Sequence, residues 1–392
     1  MNFLIALDSF KGCLSSAEAN CAAAQGIRDA CPQATVTTIP VSDGGEGWLD
    51  AIHHAIGGKF YTVKTFDPLM RPLHAPYLFD SKTNTVFIES AKVIGLGLLE
   101  EQHRHPIGLY SSGMADILVE AWKAHPGCRF VVGLGGSATC DIGTGFFMGL
   151  EDYEKELNQR NKEKPKVIIA SDVSNPLCGP IGAARMFAPQ KGATPEEVEI
   201  LERRASFTAL RWKRLLNGKD CSNTPGAGAA GGLGYAFMQW LDAEYRPGID
   251  ILLELTDFKR KAADADIIIT GEGSADRQTL LGKVPMGILK CVQNKNNELP
   301  PKSKENTNKE NTGYFPENVN NQKYVAQKPY VCLIAGKVHD KDLLLHAGFT
   351  SVDSINPPNL PLSLAMQKQT AINNIRTTVS KIINSFLQQK KF

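Results

Sequence analysis

Seven short stretches hold most of the side chains in this chain that can do chemistry. DSFKG, residues 8–12, sets Asp8, Ser9 and Lys11 ahead of a glycine. A lysine at such a turn can face the charge that develops on a group in transfer, the phosphoryl group above all. The same residues would equally make a capped turn with a surface lysine. SDGGEG, residues 42–47, joins Asp43 and Glu46 to Gly44, Gly45 and Gly47. Its glycines admit a ligand close to the backbone and its carboxylates suit a metal or a substrate hydroxyl, though an acidic turn needs no ligand at all. GLGGSATCD, residues 133–141, exposes N–H groups at Gly135 and Gly136 and hydroxyls at Ser137 and Thr139. Together with the positive end of a following helix this combination binds phosphate, and Asp141 could orient a magnesium-bound water. Its glycines would also permit tight helix packing with no ligand.

SDVSNPLCG, residues 171–179, and FAPQKGA, residues 187–193, follow closely on one another. Asp172 is a candidate base for a substrate hydroxyl, and Gln190 and Lys191 are candidate partners for a carboxylate or phosphate. Asn175, just before Pro176, either joins them or only fixes a turn. GAGAAGGLG, residues 226–234, matches G-x-G-x-x-G at Gly226, Gly228 and Gly231. The dinucleotide fingerprint needs a strand before it, and residues 220–225 are a polar loop, so a close-approach loop entering a helix is the better account, with Gly231 as a phosphate contact. GEGSADRQTLLGK, residues 271–283, brings Glu272, Asp276, Thr279 and Lys283 into one stretch. Two carboxylates with a hydroxyl and a lysine suit magnesium-nucleotide chemistry, with Glu272 and Asp276 on the metal and Lys283, like Lys11 and Asp172, on the reacting groups. The G-x-x-x-x-G-K-[ST] pattern is absent, which excludes a P-loop.

Most of these stretches follow an apolar run. Residues 3–7 precede Asp8, 36–41 precede Asp43, 130–132 precede Gly133, 167–170 precede Asp172, 267–269 precede Gly271 and 331–335 precede Gly336. Helical stretches lie between several of them, such as the alanine-rich 15–30, for which Ser16 is the expected N-cap. Continuous apolar strands alternating with helices predict parallel sheets covered on both faces, and such sheets gather ligands beyond the carboxyl ends of their strands. The acidic and glycine-rich turns therefore read together as one phosphate site.

At 392 residues the chain exceeds what one hydrophobic core usually serves, so two domains are expected. Lys and Arg total 43 against 41 Asp and Glu, scattered along the chain, which argues against a nucleic-acid partner. No apolar run reaches membrane-spanning length, and the opening residues read as a first strand and not as a leader. Nine cysteines without a C-x-x-C pair fit reduced thiols in the cytoplasm. Residues 293–328, rich in Asn, Lys, Glu and Pro, read as a disordered insertion loop. The charged run 151–166 reads as a short solvated helix and connector.

In order, DSFKG, PVSDGGEG, GLGGSAT, DVSNPLCG, PQKGA, GAGAAGGLG and TGEGSAD-x-QT-x-x-GK resemble the motifs of the type I glycerate kinases, from the first strand to about Gly287 and again from near Cys332. The resemblance implies an α/β fold of two α/β domains with largely parallel sheets, one inserted into the other: residues 1–58 with 265–392, and 59–264. It implies ATP and Mg²⁺ as cofactors, D-glycerate as the acceptor and 2-phosphoglycerate as the product. It carries the family's glycine-rich loop onto Gly135, Gly136, Ser137 and Thr139, and its acidic motifs onto Asp43, Asp172 and Glu272. The span from Thr139 to Asp172 is shorter than in the family pattern, and the expected consequence is a more open cleft. A kinase of another small hydroxy acid and a non-catalytic phosphate or nucleotide sensor stand as alternatives, with retention of Lys11, Asp43, Asp172, Glu272 and Lys283 favouring turnover. The expected partners are small molecules, neither nucleic acid nor membrane, and a homo-oligomer stays open.

Overall fold

The computed structural model describes residues 1–159, 164–293 and 328–389. The continuous apolar run after Met1 becomes β1 (Asn2–Leu7), buried from Phe3 onward and central in a sheet with β2 (Thr35–Thr38) on one side. On its other side come β9 (Ile267–Ala275), β10 (Tyr330–Val338) and β11 (Ser351–Ser354). All four pairings in this sheet are parallel. The intervening chain builds a second sheet, in order β3 (Lys59–Phe66), β4 (Pro72–Asp80), β5 (Thr85–Glu89), β6 (Arg129–Gly133), β7 (Lys166–Ala170) and β8 (Glu244–Arg246). Here β5 to β8 are parallel, while β3, β4 and β5 form an antiparallel meander. The fold is thus α/β with largely parallel sheets, and β3 and β4 are elements that a search for continuous apolar runs does not find. β3 alternates exposed and buried positions because one of its faces meets water.

Three apolar layers hold the sheets. Phe3, Ile5 and Leu7 face the helices Ser16–Ala30 and Lys368–Gln389 through Ala23, Ile27, Ile375 and Val379. The opposite face of the first sheet packs, through Leu4 and Ile268, onto helices Trp48–Ile56, Gly248–Leu255 and Val284–Gln293. The same cluster continues to Phe87 and Val131 of the second sheet, so one apolar core spans the space between the sheets. The outer face of the second sheet is covered by helices Gly113–Ala124, Thr144–Gln159 and Ala229–Leu241. Among the described residues, no helix is long and apolar enough to cross a membrane.

Ser15, not Ser16, caps the first helix, in a reciprocal capping box with Glu18. Ser16 has a different task. Its Oγ donates to Leu7 O at 2.6 Å and accepts from Val41 N at 2.9 Å, which joins the ends of β1 and the segment after β2. Asn20 reinforces the joint, accepting from Leu7 N at 3.0 Å and donating to Ile39 O at 3.3 Å. The run 151–166 supplies the end of helix Thr144–Gln159 and the start of β7; residues 160–163 lie outside the described residues, as do 294–327 of the expected insertion loop.

Glu89, at the end of β5 and with 0% of its surface exposed, accepts the N–H of Gly47 at 3.2 Å and of Leu49 at 3.0 Å. It therefore ties the second sheet to the start of helix Trp48–Ile56, where unpaired N–H groups and the helix dipole favour an acceptor. Burial pushes its carboxyl up from 4.5 to about 7; the Leu49 N–H, Lys92 and the Gly47 N–H oppose this, and Asp50 adds to it. A carboxyl raised in the folded state binds more proton there than in the unfolded chain, so its contribution is full below the unfolded value and is lost as pH rises through about 7. Glu89→Gln cannot ionise. Its melting temperature should therefore gain on that of the wild type between about pH 5 and pH 8, and a difference independent of pH would refute this.

Candidate active site

Two cavities open at the carboxyl ends of the sheets. The larger, about 800 Å³, lies over β1, β9, β10 and β11; the smaller, about 550 Å³, lies over β6 and β7. Lys11 and Asp43 line both. The Lys11 Nζ stands 3.9 Å from Asp43 Oδ2, and the charge of Asp43 foremost, with Asp8, Glu272 and Glu46, holds its ammonium above the usual value despite partial burial.

In the larger cavity Asp8 is buried, with Oδ1 accepting the Ser9 N–H at 2.7 Å. Burial and then the charge of Asp43 push its carboxyl well above the ordinary range, against the pull of Lys11. Glu272 accepts from Thr279 Oγ1 at 2.6 Å and from Lys283 Nζ at 3.1 Å; burial raises its carboxyl while both partners lower it. The expected metal pair, Glu272 and Asp276, is not brought to a common cavity. Asp276 lines neither one and instead accepts from Gln278 N at 2.7 Å, capping the short turn Arg277–Leu281. Among the described residues, no three His, Cys, Asp or Glu side chains form a ready metal cage. Asp8 and Asp43 repel one another, a repulsion that a hard divalent cation would relieve, and Asp43 repels Asp172 as well. The far wall is apolar, with Leu360, Leu362 and Met366.

The smaller cavity holds the glycine-rich loop. Lys191, 5% exposed, donates to Ser137 Oγ at 2.9 Å and to Thr139 O at 2.8 Å. Ser137, Gly135, Gly136, Gln190 and Gly231 share the lining with it, whereas Thr139 is buried behind the loop and its Oγ1 has no partner. Asp172 lines the same cavity, and both of its carboxylate oxygens are sealed from solvent without a hydrogen bond of ordinary geometry. Burial, then Asp43, lifts its carboxyl well above the ordinary value; the N–H groups of Ile249 and Gly248, near the start of a helix, act the other way. A carboxyl so placed is suited to accept a proton.

Gly44 and Gly45 serve a close approach of backbone to backbone. A Cβ on Gly135 would fall 2.5 Å from Gly45 Cα, and one on Gly44 would fall 2.7 Å from Ala170 O. Asn175 lines neither cavity and donates to Ile181 O at 2.7 Å, which is the turn-fixing role. Asp141 accepts from Ser111 N and Oγ and from Gly145 N at 2.8 to 3.0 Å, so it anchors helix Thr144–Gln159 and is spent on structure. The described part of 151–166 lines neither cavity. Arg104 was not expected: it lines the smaller cavity from a loop with no motif around it, its Nε donating to Leu99 O at 3.2 Å.

The sequence matches the model of the glycerate kinase family over residues 3–153 and 149–300. It is similar to the glycerate kinase of Bacillus subtilis (strain 168), 35% identical over 315 residues that cover 75% of this chain and 82% of the relative. It is likewise 34% identical to the glycerate 2-kinase of Escherichia coli (strain K12), over 75% of this chain and 82% of that one. Among solved structures, a crystal structure described as glycerate kinase 2 from Salmonella typhimurium LT2 superposes with a TM-score of 0.71 at 29% identity, covering 100% of both chains. With its motifs in family order at the mouths of two adjoining cavities, the chain belongs to the glycerate kinase family.

Proposed function

We propose that this kinase transfers the γ-phosphoryl group of ATP to the 2-hydroxyl of D-glycerate in the cytoplasm. The observation that carries this reading is that Lys11 and Asp43 line both cavities, so ligands held in each would meet at one charged pair. The larger cavity, with its apolar wall and Lys283, suits a nucleotide; the smaller, with Lys191, Ser137 and Arg104, suits a small carboxylate. The 2-hydroxyl is favoured because the Escherichia coli relative is a glycerate 2-kinase. Nine free cysteines accord with a reducing compartment.

Each residue then has a task. Lys191 and Arg104 hold the acid by its carboxylate, and Asp172 accepts the hydroxyl proton. Lys11 faces the transferring oxygens, where developing charge is best met by a preorganised cation. Asp8 and Asp43 would hold Mg²⁺, which when bound neutralises charge on the phosphate oxygens. Residues 1–58 with 265–392, and 59–264, are the two domains that would wall the meeting point and keep water from it.

Incubation with ATP, Mg²⁺ and a panel of small hydroxy acids should release ADP fastest with D-glycerate, and ³¹P and ¹³C NMR should identify 2-phosphoglycerate. Formation of the 3-phosphate would refute the regiochemistry, and a faster turnover of another acid would refute the substrate. Lys191→Met, which keeps the apolar stem, should raise KM for glycerate by about ten- to a hundredfold, since a charge-assisted hydrogen bond contributes about 1.5–3 kcal/mol. KM for ATP should change little, and an equal rise in both would place the acid elsewhere. Asp172→Asn should lower kcat by about 10²–10⁴ while ATP still binds, and a normal kcat would remove Asp172 from the proton path.

A further inference from the structure

Helix Pro195–Leu215 buries Ala205, Ala209 and Trp212 against the second sheet's outer layer, and Val198 and Leu201 against Cys140, Ala184 and Ala188. Its opposite face carries two large apolar side chains in solvent, Phe207 at 69% and Leu210 at 57% exposure. Single exposed apolar residues are ordinary, but Phe207 and Leu210, three residues apart, are neighbours on one helix face and make a small apolar patch. The charges along the helix are sorted. Glu196, Glu197, Glu199 and Glu202 occupy its first eight positions, and Arg203, Arg204, Arg211, Lys213 and Arg214 follow.

We propose that this face pairs antiparallel with the same face of a second copy of the chain, about a two-fold axis level with residue 205. At a hundred degrees per residue, Glu196, Ile200, Arg203, Phe207, Leu210 and Arg214 fall within about a third of the helix circumference. Antiparallel pairing at that level sets Glu196 opposite Arg214, Ile200 opposite Leu210 and Arg203 opposite Phe207, and the two-fold repeats each contact. An acid thus meets a base at either end, apolar side chains meet within, and the guanidinium of Arg203 lies over an aromatic face. Parallel pairing would set acid on acid and base on base. The arrangement explains why the apolar side chains lie midway between the charged ends. A helix of this length spans roughly 31 Å, so the contact is small for a stable interface, and the dimer should dissociate in the micromolar range and weaken with salt. The proposal does not depend on which acid the kinase phosphorylates.

Sedimentation velocity between about 1 and 100 μM tests it on the full chain. The wild type should pass from monomer to dimer, and Phe207→Asp should remain monomeric with an unchanged melting temperature, because the side chain is exposed. Glu196→Arg and Arg214→Glu should each weaken the dimer at least tenfold, and the two together should restore it. A wild type that stays monomeric throughout, a dimer that survives Phe207→Asp, or a double exchange that fails to restore association would each overturn it.

Discussion

The loop that carries Asp43 is clamped from both sheets at once, and the geometry of the cleft depends on that clamp. From the first sheet, Ser16 and Asn20 bond the end of β1 to residues 39–41 just ahead of the loop. From the second, Glu89 takes the N–H groups of Gly47 and Leu49 just behind it. In the middle, Gly45 rests on Gly135, where no side chain would fit. Asp43 is thereby fixed between the two cavities, near enough to Lys11, Asp8 and Asp172 for their charges to bear on one another. The sequence cost of the clamp is its polar residues in the core, each satisfied by backbone groups that would otherwise be buried without partners.

Around this fixed point the carboxyls are poised by environment. Asp8, Asp172 and Glu272 are all raised by burial first, and Asp43 adds repulsion to Asp8 and Asp172. Their differences lie in the partners. Glu272 is held by the side chains of Lys283 and Thr279, whereas Asp172 has no side-chain partner and faces only the N–H groups of Ile249 and Gly248, outside ordinary hydrogen-bond geometry. Two carboxyls in one cleft can therefore play unlike parts, the paired one orienting a lysine and the unpaired one taking up a proton.

The legible parts of the fold were those with continuous apolar runs: β1, β6, β7, β9 and β10 each stand where such a run does, and their turns lie at the cavities because parallel strands end together. β3 and β4 were not legible as continuous runs because they are half-exposed and alternate, and β8 and β11 are too short to leave a pattern. Within the site, the direction of a side chain was not legible from residue type. Asp141, Asp276 and Asn175 occupy motif positions, yet their side chains turn to backbone groups within their own turns or to neighbouring loops, because short polar side chains bond locally whenever the backbone offers a partner. Arg104 gave no signal, since only folding brings its loop to the cavity.

The glycine-rich stretch at residues 226–234 shows how a phosphate-like pattern can serve a ligand site indirectly. Ala230, Gly231 and Gly232 are all left-handed and break the helix that contains them. The break presses Gly231 against the 133–141 loop, where a Cβ would lie 2.0 Å from Thr139 O, and Gly231 O accepts the Ile142 N–H at 3.1 Å. Fixed on that side, Thr139 O is presented to Lys191 on the other. A buried ammonium held only by a carbonyl and a hydroxyl among the described residues keeps most of its charge uncompensated, which is costly unless an anion comes to it. The strained turn therefore bears on the smaller cavity at one remove: it holds the carbonyl that holds the lysine.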